Sequence, residues 1–173
     1  MEITTERLVV KPAGPEYLES TFAYASDPVV THFMMHLPVA SVEEQRERLE
    51  RASEEWKAAN PHALEFVILM NGWHIGGLTL YIISEDRHEA ELAWILGRDY
   101  WHKGIAYEAV TALIDYARRE WHIHRFIAQC DAENTASEQL MKRLGMHFVS
   151  CLGGRKNRSS NEERQELTYE ILF

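Results

Sequence analysis

The residues with the clearest chemical potential lie between Leu96 and Glu108, in the segment LGRDYWHKGIAYE. An apolar, strand-like run ends at Leu96, and Gly104 precedes residues with helical spacing. The first amides of a helix lack partners within it and lie at the positive end of its dipole. A glycine there lets a phosphate approach the backbone, and Lys103 adds a positive charge. The segment therefore predicts a pyrophosphate cradle, with a plain strand-to-helix connection as the alternative.

Two common nucleotide motifs are missing from the chain. It contains no GxxxxGK[S/T], which excludes a Walker-type site, and no GxGxxG after a strand, which excludes a dinucleotide fingerprint. The cradle is therefore predicted to take a phosphorylated cofactor of another kind.

A second polar pair, Asn134 and Ser137, follows a predicted strand that ends at Asp131. A spacing of three places both side chains on one face of a first helical turn. Helix capping by Asn134 is the structural alternative. If this turn lies beside the cradle, an amide and a hydroxyl are presented to the same ligand.

The elements that must position these residues follow from periodicity and turn signals. Strands are predicted at 3–11, 64–70, 73–83, 89–96, 125–130, 148–152 and 165–171, and helices at 17–25, 42–59, 105–120 and 134–144. Residues 153–164 are predicted to form a polar, mobile loop. A meander followed by a β-α-β-α unit is typical of the α/β (α+β) class, with a mixed sheet and helices on both of its faces.

Composition limits the function classes. The chain has 173 residues, of which 46% are hydrophobic and 26% charged, which suits one domain spanning 1–173. Its net charge of −9 argues against a nucleic-acid partner and favours a cationic one. No apolar run approaches the ~20 residues of a membrane span, and the charged start is unlike a signal peptide. We therefore expect a cytoplasmic protein with no membrane partner.

The spacing of the cysteines and histidines matches neither a metal-binding motif nor a redox-active cysteine pair. Cys130 and Cys151 form neither a CxxC pair nor a disulfide framework, and they are predicted to be free thiols. His122 and His124 are close together, but no third ligand stands at a recognised spacing. The sequence therefore predicts no metal site.

Four motifs in order carry a resemblance to a known family. They are Glu91–Leu96, Tyr100–Ala109, Asn134–Ser137 and Lys142–Met146. On these motifs the chain resembles the GNAT acetyltransferase superfamily, and within it the RimJ/RimL-like branch that acetylates ribosomal-protein N-termini. The segments 5–10 and 27–29 are also similar to that branch.

This resemblance implies a single GNAT-like domain with a mixed, mostly antiparallel sheet of six to seven strands, about four helices and a splayed central parallel pair. It also implies acetyl-CoA as co-substrate and no metal. The family's acyl-CoA loop, Q/R-x-x-G-x-G/A, maps onto Trp101–Ala106, although Trp101 replaces Gln/Arg and His102 stands where glycine is usual. The implied cofactor-binding residues are Trp94, Leu96, Trp101, His102, Lys103, Gly104, Ile105, Ala106, Tyr107, Asn134 and Ser137.

The implied reaction is direct transfer of an acetyl group to a primary amine. Glu91 is the candidate base, acting through water, Ser137 is the candidate acid, and the Trp94 amide is the candidate oxyanion donor. The acceptor is either a protein N-terminus or a small amine such as a polyamine, an amino sugar or an antibiotic, recognised by loops 31–39, 84–88 and 153–164. A non-catalytic acyl-CoA-binding sensor is the rival function, and the protein is expected to be a monomer or homodimer.

Overall fold

An eight-stranded mixed sheet forms the centre of the structure, a computed structural model that describes residues 1–84 and 86–173. Its spatial order is β1-β2-β3-β4-β5-β6-β8-β7. The strands are β1 (Ile3–Thr4), β2 (Leu8–Pro12), β3 (Ala63–Met70), β4 (Trp73–Ile82), β5 (Glu89–Leu96), β6 (Arg125–Asp131), β7 (His147–Lys156) and β8 (Glu163–Leu172). The helices are α1 (Leu18–Ala25), α2 (Val42–Glu55), α3 (Ile105–Trp121) and α4 (Thr135–Arg143). The predicted fold class is confirmed.

All neighbouring strands are antiparallel except β5 and β6. This parallel pair is joined only where Glu89–Leu92 lies beside 125–128. Arg125 clamps this closed end, because its guanidinium pairs with Glu89 at 2.5 Å and with Glu170 at 2.8 Å. Beyond it the two strands separate, and a gap opens at their carboxyl ends.

Side-chain alternation along the strands assigns two faces to the sheet. Leu80 and Leu92 lie on one face and are buried against Val110 and Leu113 of α3, in the main core. On the other face Val67 is buried against Leu49 of α2 in a smaller cluster. The amphipathic helices predicted around these apolar positions are confirmed.

Three details differ from the sequence prediction. The first predicted strand is divided into β1 and β2, which gives eight strands rather than seven. Helix α2 ends at Glu55, four residues earlier than predicted. Half of the predicted mobile loop 153–164 is strand, because β7 extends to Lys156 and β8 begins at Glu163, and only 157–162 connects them. Its polar residues make ion pairs, so polarity there was a misleading loop signal.

Candidate active site

The start of α3 has the conformation expected of an anion cradle. Gly104 is its N-cap, with φ of 72° and no side-chain cap over the first-turn amides. A Cβ at Gly104 would have the Arg7 guanidinium as its nearest neighbour, at 3.8 Å, so the need for glycine is conformational. His102 also has a positive φ, of 58°, although it stands where the family usually has glycine.

An ion pair that sequence reasoning missed fixes this loop. The Arg7 Nε donates to Glu108 at 2.7 Å, and another guanidinium nitrogen donates to the Lys103 carbonyl at 3.0 Å. Thr5 also donates its hydroxyl to Glu108. Burial opposes ionisation, but these hydrogen bonds hold the pKa of Glu108 below its ordinary value. Nothing in the spacing of residues a hundred positions apart points to this contact.

Unpaired backbone groups of β5 line the gap. The Gly97 amide donates to Ile75 and the Glu89 carbonyl accepts from Ile83, so odd-numbered β5 residues direct their backbone groups toward β4. Alternation therefore directs those of Trp94 and Leu96 into the gap, where β6 has moved away. The Trp101 indole donates to the Leu96 carbonyl at 2.9 Å, which leaves the Trp94 amide and carbonyl and the Leu96 amide facing the gap.

A cavity of about 830 Å³ lies beside α3 and α4 and is called here the α3–α4 cavity. Every residue predicted to bind the cofactor contributes to its lining, from Trp94 and Leu96 through 101–107 to Asn134 and Ser137. Asn134 Oδ1 accepts the Ser137 amide at 3.2 Å, so the capping role of Asn134 is present as well. Chain topology thus brings the two motifs of the sequence to one place.

Some of these residues also belong to the fold. Ile105 is 1% exposed and Leu96 is 8% exposed, so both side chains pack in the main core. Only the backbone groups of these two residues can therefore contact a ligand. Lys103 lies over the Tyr100 ring, 5.8 Å from its centroid, and Arg143 lies over Tyr107 at 4.1 Å.

A second cavity, of about 430 Å³, lies on the opposite face of the sheet and is called the α1–α2 cavity. The two cavities share lining residues at the gap, namely Trp94, Ile95, Asn134 and Ser137, together with Phe33 and Met34 above it. A ligand in one cavity can therefore reach a ligand in the other only where β5 and β6 separate.

Glu91 faces the α1–α2 cavity from β5. Burial raises the pKa of its carboxyl, the negative charge of Glu166 adds to this, and Arg155 opposes both. A carboxylate with a raised pKa is a stronger base than an exposed one, which suits proton removal near neutral pH.

A buried polar network that sequence reasoning also missed supports this wall. Arg155 is 9% exposed, pairs with Glu166 and donates to the Phe33 carbonyl at 2.8 Å. It also donates to Asn157 at 3.0 Å, and Asn157 donates to Asp131 at 2.6 Å. The β7–β8 hairpin is thereby tied to the 33–37 segment, which lines the α1–α2 cavity.

The three predicted acceptor loops contribute unequally. Residues 33–37 line the α1–α2 cavity, and Arg155 is the contribution of 153–164. Ser84 and 86–88 do not line it, and Glu85 lies outside the described residues. Within the described chain, no three His, Cys, Asp or Glu residues cluster as metal ligands. No helix in 1–84 or 86–173 is long and apolar enough to span a membrane.

Comparison with known proteins places this geometry in a family. The chain is 28% identical over 176 residues to the uncharacterized N-acetyltransferase YnaD of Bacillus subtilis, covering 99% of this chain and 97% of YnaD. A 64-residue stretch, 37% of this chain and 33% of the relative, is 40% identical to the [ribosomal protein uS5]-alanine N-acetyltransferase of Escherichia coli.

A solved structure has the same fold. The structure of RimL, a ribosomal L7/L12 alpha-N-protein acetyltransferase in complex with coenzyme A, superposes with a TM-score of 0.88 at 19% identity, covering 100% of this chain and 98% of that one. The family model for the acetyltransferase (GNAT) domain matches residues 7–147. The chain therefore belongs to the GNAT acetyltransferase family, and it is an N-acetyltransferase of that family.

Proposed function

We propose that this chain transfers an acetyl group from acetyl-CoA directly to a primary amine held in the α1–α2 cavity. The observation that carries the proposal is the junction of the two cavities at the gap between β5 and β6. One cavity offers unpaired amides suited to an anion, and the other offers carboxylates suited to a cationic amine. Direct transfer needs both ligands to meet at one point, and the gap is that point.

The α3–α4 cavity fits acetyl-CoA in its chemistry. The amides from His102 to Tyr107 would hold the pyrophosphate, and the unpaired backbone groups of Trp94 and Leu96 would pair with the amides of the pantetheine arm. The Asn134 side-chain nitrogen is a further donor on the same wall. When bound, acetyl-CoA supplies an activated thioester as the acetyl donor.

Three groups would then move or stabilise charge. Glu91 takes a proton from the ammonium form of the acceptor, through water, because an ammonium ion is not a nucleophile. The Trp94 amide donates a hydrogen bond to the thioester oxygen as negative charge grows on it. Ser137 gives its hydroxyl proton to the departing thiolate and is reprotonated by the proton that the attacking nitrogen releases as the amide forms.

Two acceptor classes fit this proposal. The names of the uS5-alanine enzyme and of RimL favour a protein N-terminal amine. A small amine is the second candidate, favoured by the size of the α1–α2 cavity and by the carboxylates in its wall.

A thiol-release assay with acetyl-CoA tests the proposal. The acceptors are ribosomal-protein N-terminal peptides and small mono- and diamines, and mass spectrometry identifies the acetylated product. We expect thiol release that depends on the acceptor. Calorimetric binding of acetyl-CoA with no release for any acceptor would favour the sensor function instead, and no binding would refute the cofactor assignment.

A further inference from the structure

Glu65 is a second acidic residue in the α1–α2 cavity that the proposed reaction does not use. It lies on β3, on the face that also carries Val67, and its side chain lines the cavity. Burial raises the pKa of this carboxyl, and the positive charges of Arg48 and Arg51 partly oppose the shift. Its backbone carbonyl accepts the Trp56 indole at 2.8 Å, whereas no hydrogen bond to its carboxylate contributes to the shift.

A half-buried carboxylate without a hydrogen-bond donor destabilises the folded state, because no hydrogen bond compensates for the loss of its hydration. Glu91 has the same character, since no hydrogen bond within the described chain contributes to its raised pKa. One cavity thus has two acidic groups available to a ligand, of which the reaction needs one as a base.

Strand register gives the separation of these two acidic residues. Glu65 lies opposite Thr79, and Glu91 lies opposite Tyr81, two residues further along β4. Two strand spacings across and two residues along place their Cα atoms about 12 Å apart. Tyr81 lies between them, and both carboxylates raise the pKa of its hydroxyl, after burial.

The wall of the same cavity carries an independent sign of a missing ligand. Gln45 of α2 is 3% exposed, lines the same cavity, and its Oε1 has no hydrogen-bond partner among the described residues. A buried amide oxygen without a donor costs about 1–3 kcal/mol, so its partner is expected to come from outside the fold. An amine supplies N–H donors, which suit both this oxygen and a carboxylate.

We propose that Glu65 and Gln45 form a subsite for a second cationic group, so that the preferred acceptor is a linear amine with two amino groups. The reacting amine lies at Glu91 near the gap, and the distant ammonium lies at Glu65, toward α2. Glu65 is thus a specificity-determining residue that does not take part in proton transfer. This inference rests on the proposed function, which supplies the reacting end of the acceptor.

Acceptor pairs of matched length test it. Diaminobutane, diaminohexane and diaminooctane are compared with hexylamine and aminohexanol, at saturating acetyl-CoA, by thiol release. We expect kcat/KM for the best diamine, longer than diaminobutane, to exceed that for hexylamine by about tenfold, as for one hydrogen-bonded charge pair. Glu65→Gln should abolish this preference and leave hexylamine unchanged. Glu50→Gln, an exposed position of α2, removes the same charge away from the cavity and should keep the preference.

The melting temperature of the Glu65→Gln variant distinguishes a ligand-binding role of Glu65 from a structural one. Glu65→Gln should leave the melting temperature unchanged or raise it, because it removes a desolvated charge. A diamine preference that survives Glu65→Gln, or an equal loss for hexylamine and diamines, would overturn the inference while leaving the transferase function intact. So would a peptide preferred to every diamine, with a rate independent of Glu65.

Equilibrium binding decides the case if no amine is acetylated. The same diamines are then titrated calorimetrically into the protein–CoA complex. Binding that weakens about tenfold in Glu65→Gln would support the subsite even though the transferase function had failed. Absence of binding by every diamine would overturn it.

Discussion

Replacing Gly104 by alanine tests the cradle most directly, because its positive φ disfavours alanine and because Gly72, with a similar φ, provides a matched control. Gly104 has φ of 72°, and a left-handed conformation costs an alanine about 1–2 kcal/mol. An alanine variant either retains that backbone strain or shifts the loop before α3 to a conformation with negative φ. In the second case the first amides of α3 turn away from the predicted pyrophosphate position. Each lost hydrogen bond to a charged group is worth about 1.5–3 kcal/mol, so acetyl-CoA affinity should fall about ten- to a hundredfold.

Gly72 provides the control. It has φ of 80° in the β3–β4 turn, a Cβ there meets nothing within 4 Å, and it lines neither cavity. Gly72→Ala and Gly104→Ala should therefore lose similar stability in urea unfolding, about 1–2 kcal/mol each. Calorimetric titration with acetyl-CoA should show weakened binding only for Gly104→Ala. Equal affinity in the two variants would refute the cradle as the pyrophosphate site.

Three further changes probe chemistry and stability. Ser137→Ala should lower kcat about ten- to a hundredfold with little change in the Kd for acetyl-CoA; an unchanged kcat would exclude an acid role. Because burial raises the pKa of Glu91, activity should rise with pH through a range above that of an ordinary carboxyl, and Glu91→Gln should lose that pH dependence in kcat profiles. Burial lowers the pKa of His74 to about 4 from 6.5. As the pH falls, His74 therefore takes up a proton at a higher pH in the unfolded chain than in the folded one. The free energy of unfolding should decrease between about pH 7 and pH 4, by up to about 3 kcal/mol. His74→Gln should flatten that dependence in urea titrations compared at both ends of the range.

Short stretches of sequence predicted most of the strands, turns and helices, because the residues that determine each of these elements lie close together in the chain. The Asn71-Gly72 turn predicted the hairpin, and both residues have the positive φ, 51° and 80°, that such a turn requires. Apolar residues with helical spacing after Gly104 predicted α3 for the same reason. These features depend on residues within one or two turns of each other, so a single sequence contains the needed information.

Long-range polar contacts could not be predicted in this way. Arg155 reaches the Phe33 carbonyl across more than a hundred residues, and Arg7 reaches Glu108 across a similar separation. Polarity in 153–164 therefore predicts a loop over the whole segment, although only 157–162 lies outside the two strands. Glu65 was missed because an isolated carboxylate in a strand is usually solvent-exposed, and its burial depends on α2 packing above it.

One connection explains why the cradle and the gap are adjacent. Strand β5 continues through α3 into the parallel strand β6, and such a crossover places the helix start at the carboxyl edge of the sheet. The same edge is where β5 and β6 separate, while Arg125 keeps their other ends together. The helix amides that suit an anion and the unpaired strand amides thus arise from a single β-α-β unit, at a distance fixed by 97–104. Apart from Gly104, whose positive φ the cradle needs, the loop between β5 and α3 should therefore tolerate changes in side chains better than changes in length, because its length sets the span from cradle to gap.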